Sequence, residues 1–193
     1  MGKLLFILGL LIGGSGVFLY HWVKPETYDP YFFLSPKIAE GHPINVPIKL
    51  YKKGDTVNFT FWKTPFPEFK LLYLFPVSPP SSRIVLNINE DSNKKFGFDS
   101  SEIFNGKGPI KDRGNYPIFK VKLYKINADM TEHLVLDKIH KNNSARRINA
   151  FSIAPVPEEY GQYRLEVTVL GDWPELEIDG MDYFITVETY FIK

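Results

Sequence analysis

Residues 160–176 read Tyr-Gly-Gln-Tyr-Arg-Leu-Glu-Val-Thr-Val-Leu-Gly-Asp-Trp-Pro-Glu-Leu, or "YGQYRLEVTVLGDWPEL". Tyr163, Leu165, Val167 and Val169 fall on one side of an extended chain, and Arg164, Glu166 and Thr168 on the other. A period of two marks a strand with one face in a core and the other in water. The alternation ends at Gly171, and the chain runs into a turn in which acids surround Trp173.

The same pattern recurs through the chain. Ile44, Val46, Ile48 and Leu50 alternate with more polar neighbours, as do Val57, Phe59 and Phe61 after the turn Lys53-Gly54-Asp55. Ile84, Leu86 and Ile88 follow suit, then Phe119, Val121 and Leu123, and Tyr183 to Phe191 supplies a closing strand. Seven or eight such runs, separated by turn residues, predict an all-β fold, an antiparallel β-sandwich of immunoglobulin-like type. A composition of 16 Phe, 11 Tyr and 15 Pro in 193 residues suits strands and turns. The net charge of +1 gives no overall field to attract nucleic acid. The absence of cysteine excludes thiol nucleophiles, Cys-ligated zinc and disulfides, so the core alone must hold the fold.

Ahead of the strands, Leu4 to Val23 is a run of 20 residues whose only ionisable side chain is His21. As a helix it spans about 30 Å, the thickness of a bilayer's hydrocarbon core. Tyr20 and Trp22 fall where an interfacial aromatic belt lies, and the small residues Gly13, Gly14, Ser15 and Gly16 sit inside the run. One N-terminal transmembrane helix acting as a signal anchor is expected; a signal cleaved near Gly16 is the alternative. Lys3 precedes the run with no positive excess after it, which keeps the N-terminus cytoplasmic and sends the rest outward. Gly9 and Gly13 match the spacing that lets membrane helices pack closely, a possible route to a homodimer. The expected organisation is an anchor at 1–23, a Pro- and aromatic-rich linker at 24–43 and the sandwich at 44–193.

Two stretches stand out as candidate contact surfaces. Residues 91–115 are long, polar and glycine-rich, with Lys94, Lys95, Lys107, Lys111 and Arg113 as candidate binding residues; loops of this length are usually functional or disordered. In the turn after Val169, Asp172, Glu175, Glu177, Asp179 and Asp182 are five carboxylates within eleven residues. Their spacing is not that of an EF-hand, although oxygen-rich turns can take calcium. A docking edge for a basic partner is the other use, with Trp173 either as its aromatic anchor or as a cap on the core. Asp172, Trp173, Glu175, Glu177 and Asp179 are the candidate partner-binding residues.

Signatures of catalysis are lacking. Gly14-Ser15-Gly16 lies inside the apolar run, out of reach of a base, and no glycine loop follows a strand to cradle phosphate. His21, His42, His133 and His140 fit no recognised metal spacing, and an enzyme site would have to be assembled from scattered residues such as His133, Asp137 and His140. Asn58-Phe-Thr and Asn142-Asn-Ser match the glycosylation acceptor pattern. No cofactor and no metal are expected.

The segment "GQYRLEVTVLGDWPELEIDGMDYFITV", with "NGKGPIKDRGNYPIFKVKLYKI" and "PEFKLLYLF" upstream, resembles a bacterial family known as domain of unknown function 5625. The resemblance implies a small exported envelope β-domain and brings no catalytic residues; the chain lacks the cysteine that lipid-anchored members carry. Residues and resemblance together lead to one expectation. It is a non-enzymatic, single-pass protein of the bacterial inner membrane whose periplasmic domain binds a protein partner, as an immunity or inhibitor protein binds a toxin or effector. Two alternatives remain: a structural or assembly factor of the envelope, and a domain secreted to the periplasm after signal cleavage.

Overall fold

The structure, a computed structural model, describes residues 9, 12–16, 34–38, 42–63, 81–89, 94–112, 114–142 and 151–190. Nine strands occur among them: β1 (Lys37–Ile38), β2 (Ile44–Pro47), β3 (Thr56–Lys63), β4 (Ser81–Ile88), β5 (Pro117–Ile126), β6 (Glu132–Lys141), β7 (Phe151–Val156), β8 (Gly161–Val169) and β9 (Tyr183–Tyr190). They form a five-stranded sheet, ordered β1-β3-β8-β5-β6, and a four-stranded sheet, ordered β2-β9-β4-β7.

The alternation seen in β8 is met as expected. Tyr163, Leu165, Val167 and Val169 are fully buried, as are Phe119, Val121 and Leu123 of β5 beside them and Ile84, Leu86, Ile185 and Val187 of the facing sheet. These residues belong to one continuous core. On the outer face of β8, Arg164 is the centre of a polar cluster. It makes two hydrogen bonds to Glu132, at 2.7 and 2.6 Å, and lies 4.1 Å over the Tyr124 ring. These hydrogen bonds hold the Glu132 carboxyl below its ordinary pKa.

The connectivity differs from the immunoglobulin-like expectation. In an immunoglobulin sandwich the first two strands are neighbours in one sheet. Here β2 and β3 lie in different sheets, and within β2–β9 the only consecutive strands that pair are β5 and β6. The pairs β2–β9, β3–β8, β4–β7 and β5–β6 are nested, so the chain is one long hairpin rolled up. Eight strands in this order make a jelly roll. Strands of either sandwich alternate in the same way, so periodicity alone does not separate them.

Two further differences concern edges. β1 lies within the segment expected to be linker, runs parallel to β3 and places Ile38 in the core at 1% exposure. The sandwich therefore draws on residues before 44 and is not wholly antiparallel. Of the expected membrane segment, only residue 9 and residues 12–16 are described, and they are helical and exposed. Among the described residues no helix is long and apolar enough to cross a membrane.

Tyr163 stacks on Phe61 with ring centres 5.8 Å apart and donates its hydroxyl to the Glu159 carbonyl. Burial, with the Glu159 charge adding to it, pushes its phenol up to about 12. Burial also raises Tyr183. A group whose pKa rises on folding adds stability below its unfolded value, and that stability disappears as pH climbs through the folded one. The domain is thus expected to keep Tyr163's share of its stability to the ordinary phenol value of 10.0 and to lose that share as pH climbs to about 12, seen as a falling urea midpoint. In a difference titration against Tyr163→Phe, the Tyr163 tyrosinate signal should be shifted towards about 12; its appearance in a folded domain at the ordinary pKa would contradict this account.

Candidate functional site

β8 ends at Val169, whose N–H donates to the Asp55 carbonyl, and Leu170 then donates to the Ile118 carbonyl. The chain next folds Trp173 back over Gly171. A Cβ at position 171 would lie 2.0 Å from the Trp173 ring, so only glycine fits. The indole meets Phe104 edge-on at 4.9 Å and Tyr116 at 6.1 Å, leaving Trp173 9% exposed. Of its two readings the cap on the core is the one observed, and Trp173 is removed from the set of exposed partner contacts.

Beyond the indole, Pro174–Leu176 make a single 3-10 turn. Leu176 is fully buried, and the Tyr183 hydroxyl donates to its carbonyl at 2.8 Å. With the apolar residues of the turn directed inward, Asp172, Glu175, Glu177, Asp179 and Asp182 are all exposed. None of the five forms an ion pair with a described residue. Nor do they converge: among the described residues no three acids or histidines lie together as a metal site would require.

The 91–115 loop, described over 94–112 and 114–115, packs against the same indole. Ile103, Phe104 and Ile110 are buried in the core, and the Asn142 side chain donates to the Phe104 carbonyl at 2.9 Å. That bond holds Asn142 as a buried structural residue, inaccessible to glycosylation in the folded domain. A Cβ on Gly108 would lie 2.6 Å from the Glu102 carbonyl oxygen, so the loop closes on itself only with glycine there. Lys94, Lys95, Lys107 and Lys111 are left at the surface; Arg113 lies outside the described residues. Lys107 pairs with Glu102 at 3.3 Å. The Lys95 ammonium lies 3.3 Å from where a Cβ on Gly180 would be, within the acidic turn.

The structure therefore gathers the acidic and basic candidates at one pole of the sandwich. It adds residues that the sequence reading passed over. An open groove of about 630 Å³ beside the turn is lined by Lys49, Tyr51, Asp55, Asp182 and Phe184 among others. Asp55 is fixed there by the Lys49 backbone N–H at 2.8 Å. The 48–56 segment reads as a simple connection because its period of two stops at Leu50. At the opposite pole, Lys63 is buried and donates to the Pro157 carbonyl at 2.7 Å, and burial lowers its pKa against the opposing effect of Glu158. Its place on the inward side of β3, two residues after Phe61, was the available signal.

Other candidates are dispersed. His140 is buried, its Nδ1 lying 3.2 Å from the Ile153 carbonyl. Asp137 sits opposite Lys122, on the outer face, and His140 opposite Phe119, on the inner one, so a joint site with His133 is not assembled. His42 is exposed and His21 lies outside the described residues. Gly9 and Gly13 have nothing within 4 Å of a Cβ position, so no described residue packs on them.

No family model matches the chain. No curated protein matches it. Five chains of solved structures do. One, the crystal structure of a protein from Sulfurospirillum deleyianum, is 16% identical with a TM-score of 0.50, over 77% of this chain and 98% of its own. At that identity the likeness concerns the fold alone.

Gly171→Ala is expected to overpack the Trp173 contact and cost about 1–3 kcal/mol. Urea unfolding followed by tryptophan fluorescence checks this. An unchanged midpoint would mean that the indole is not held against position 171.

Proposed function

We propose that this chain is a non-enzymatic binding domain held at a membrane by its N-terminal segment, and that it works as an immunity or inhibitor protein occluding a protein toxin or effector. The observation that carries the reading is the acidic turn: five exposed carboxylates without described ion-pair partners, on a backbone fixed by Trp173 and Tyr183. A preorganised charged surface steers a complementary partner and loses little entropy on binding. The partner is then expected to present a basic face to Asp172, Glu175, Glu177 and Asp179, with the lysines of the 94–111 loop at the rim.

A structural or assembly role in the envelope is the second reading, favoured by the exposed edge strand β6. Replacing residues 1–23 by an unrelated anchor abolishes function under that reading and leaves it intact under the first.

The charge-reversal variant Asp172→Lys/Glu175→Lys/Glu177→Lys tests the primary reading. In full-length tagged protein it should weaken capture of the stoichiometric partner by about tenfold or more. Its melting temperature should stay within about 3 °C, as befits surface substitutions. Unchanged capture with a folded domain would remove the acidic turn from the contact surface.

A further inference from the structure

The four sheet edges are not equally protected. β7 carries Pro155 and β2 carries Pro47, both exposed, and β1 is two residues long. Proline and brevity are two of the means that stop a sheet edge from pairing with another chain, lysines and bulges being others. β6 has neither proline nor brevity; it carries Lys138 and Lys141, and its bulge lies before Leu136. It is ten residues long, holds the outer position in its sheet, and has register shifts opposite Leu123 and Tyr124 and, on the β5 side, between Pro117 and Phe119 next to Lys141. From Leu136 to His140 its pairing with β5 is regular.

Its outward residues follow from that register. Asp137 lies opposite Lys122 and Ile139 opposite Lys120, while His140 points into the core, which turns Lys141 outward again. Ile139 is 50% exposed, unusual for an isoleucine in a strand, and Leu134 is 44% exposed. Asp137 and Lys141 are both exposed, and neither forms an ion pair with a described residue.

We infer that the edge of β6, unpaired among the described residues, is a self-association surface, whose partner is β6 of a second copy of this chain running antiparallel about a two-fold axis through Ile139. In that register Ile139 faces its own symmetry mate, and Asp137 faces Lys141 of the other copy on both sides of the axis. All three positions are on the same face, as direct cross-strand neighbours must be. The neighbouring registers lack this match. An axis at Lys138 sets that lysine against itself and Asp137 against Ile139. One at Asp137 opposes two carboxylates, and one at His140 sets Lys141 against Ile139. An isologous interface has to be self-complementary, and the alternation acid–apolar–base centred on Ile139 is self-complementary under a two-fold axis. The result is a ten-stranded sheet continuous across two protomers, with the axis near the end of β6 that adjoins Pro117.

The chain has no cysteine, so a single introduced thiol reports its own neighbour. Residues directly opposite in an antiparallel pair have Cα atoms about 4.5–5.5 Å apart, within the range a disulfide spans. Full-length Ile139→Cys in its native membrane should form a disulfide-linked dimer of this chain on mild oxidation, whereas Thr60→Cys, exposed on β3 of the same sheet, should not. Adding Asp137→Lys, or Lys141→Asp, should each reduce the Ile139→Cys dimer by about tenfold through like-charge opposition. The double exchange Asp137→Lys/Lys141→Asp should restore it, an outcome that neither misfolding nor a dimer joined elsewhere would produce. Failure to cross-link at 139, equal cross-linking at 60, trapping of a different protein, or absence of rescue by the double exchange would each overturn the inference.

Discussion

Everything in this fold depends on burying one face of β8 without help from a disulfide. Tyr163, Leu165, Val167 and Val169 are fully withdrawn from water, and the strand is flanked on both sides, by β3 and by β5. Area removed from water at that strand is the main stabilising contribution available. The facing sheet is held against it by the matching residues of β4 and β9. The outer face of β8 is then free to be polar, and Arg164 uses it to tie β6 to the sheet through Glu132. The ends of the sandwich are exposed by the same geometry and have to be closed by loops. Trp173 and Phe104 close one of them.

The parts of the molecule that could be read from sequence are those where one face is wet and the other dry. β8 and β5 have that character, and their inward residues were legible as a set; those of β4 and β9 were legible too, although Val85 and Thr186 on the other face are also buried. β6 was not, because seven of its first eight residues are exposed and no alternation survives. β7 was hidden by Pro155, and β1 by its length. The order of strands was illegible for a different reason: pairing of Ile44 with Val187 is a long-range choice that no local pattern encodes. At the pole, the acids were legible as exposed, yet the side of the ring that Trp173 would present was not. Its burial is set by Gly171 and by Phe104, one neighbour and one residue far along the chain. The basic loop misled by composition, since its polar average conceals Ile103, Phe104 and Ile110, the residues that root it.

The pole and the edge of β6, unpaired among the described residues, differ in what they present. At the pole, charge is displayed on a backbone with little freedom to rearrange, which suits a partner of complementary shape and sign. Along β6, the backbone itself is on offer among the described residues, and in the pairing proposed above a few side chains favour one register. Lys107 and Glu102 show how the loop neutralises part of its own charge, so the net acidity of the pole comes from the turn after β8.

The nesting of strands also has a temporal side. β9 lies between β2 and β4, and it is the last of the nine described strands in chain order. Until residues 183–190 are free, the four-stranded sheet has no centre, and β3 likewise waits for β8 some hundred residues later. Contacts so distant along the chain form slowly, after the loops between them have been closed. A chain still being made would thus carry no finished sandwich, and would acquire its rigidity only once β9 had joined the strands made before it.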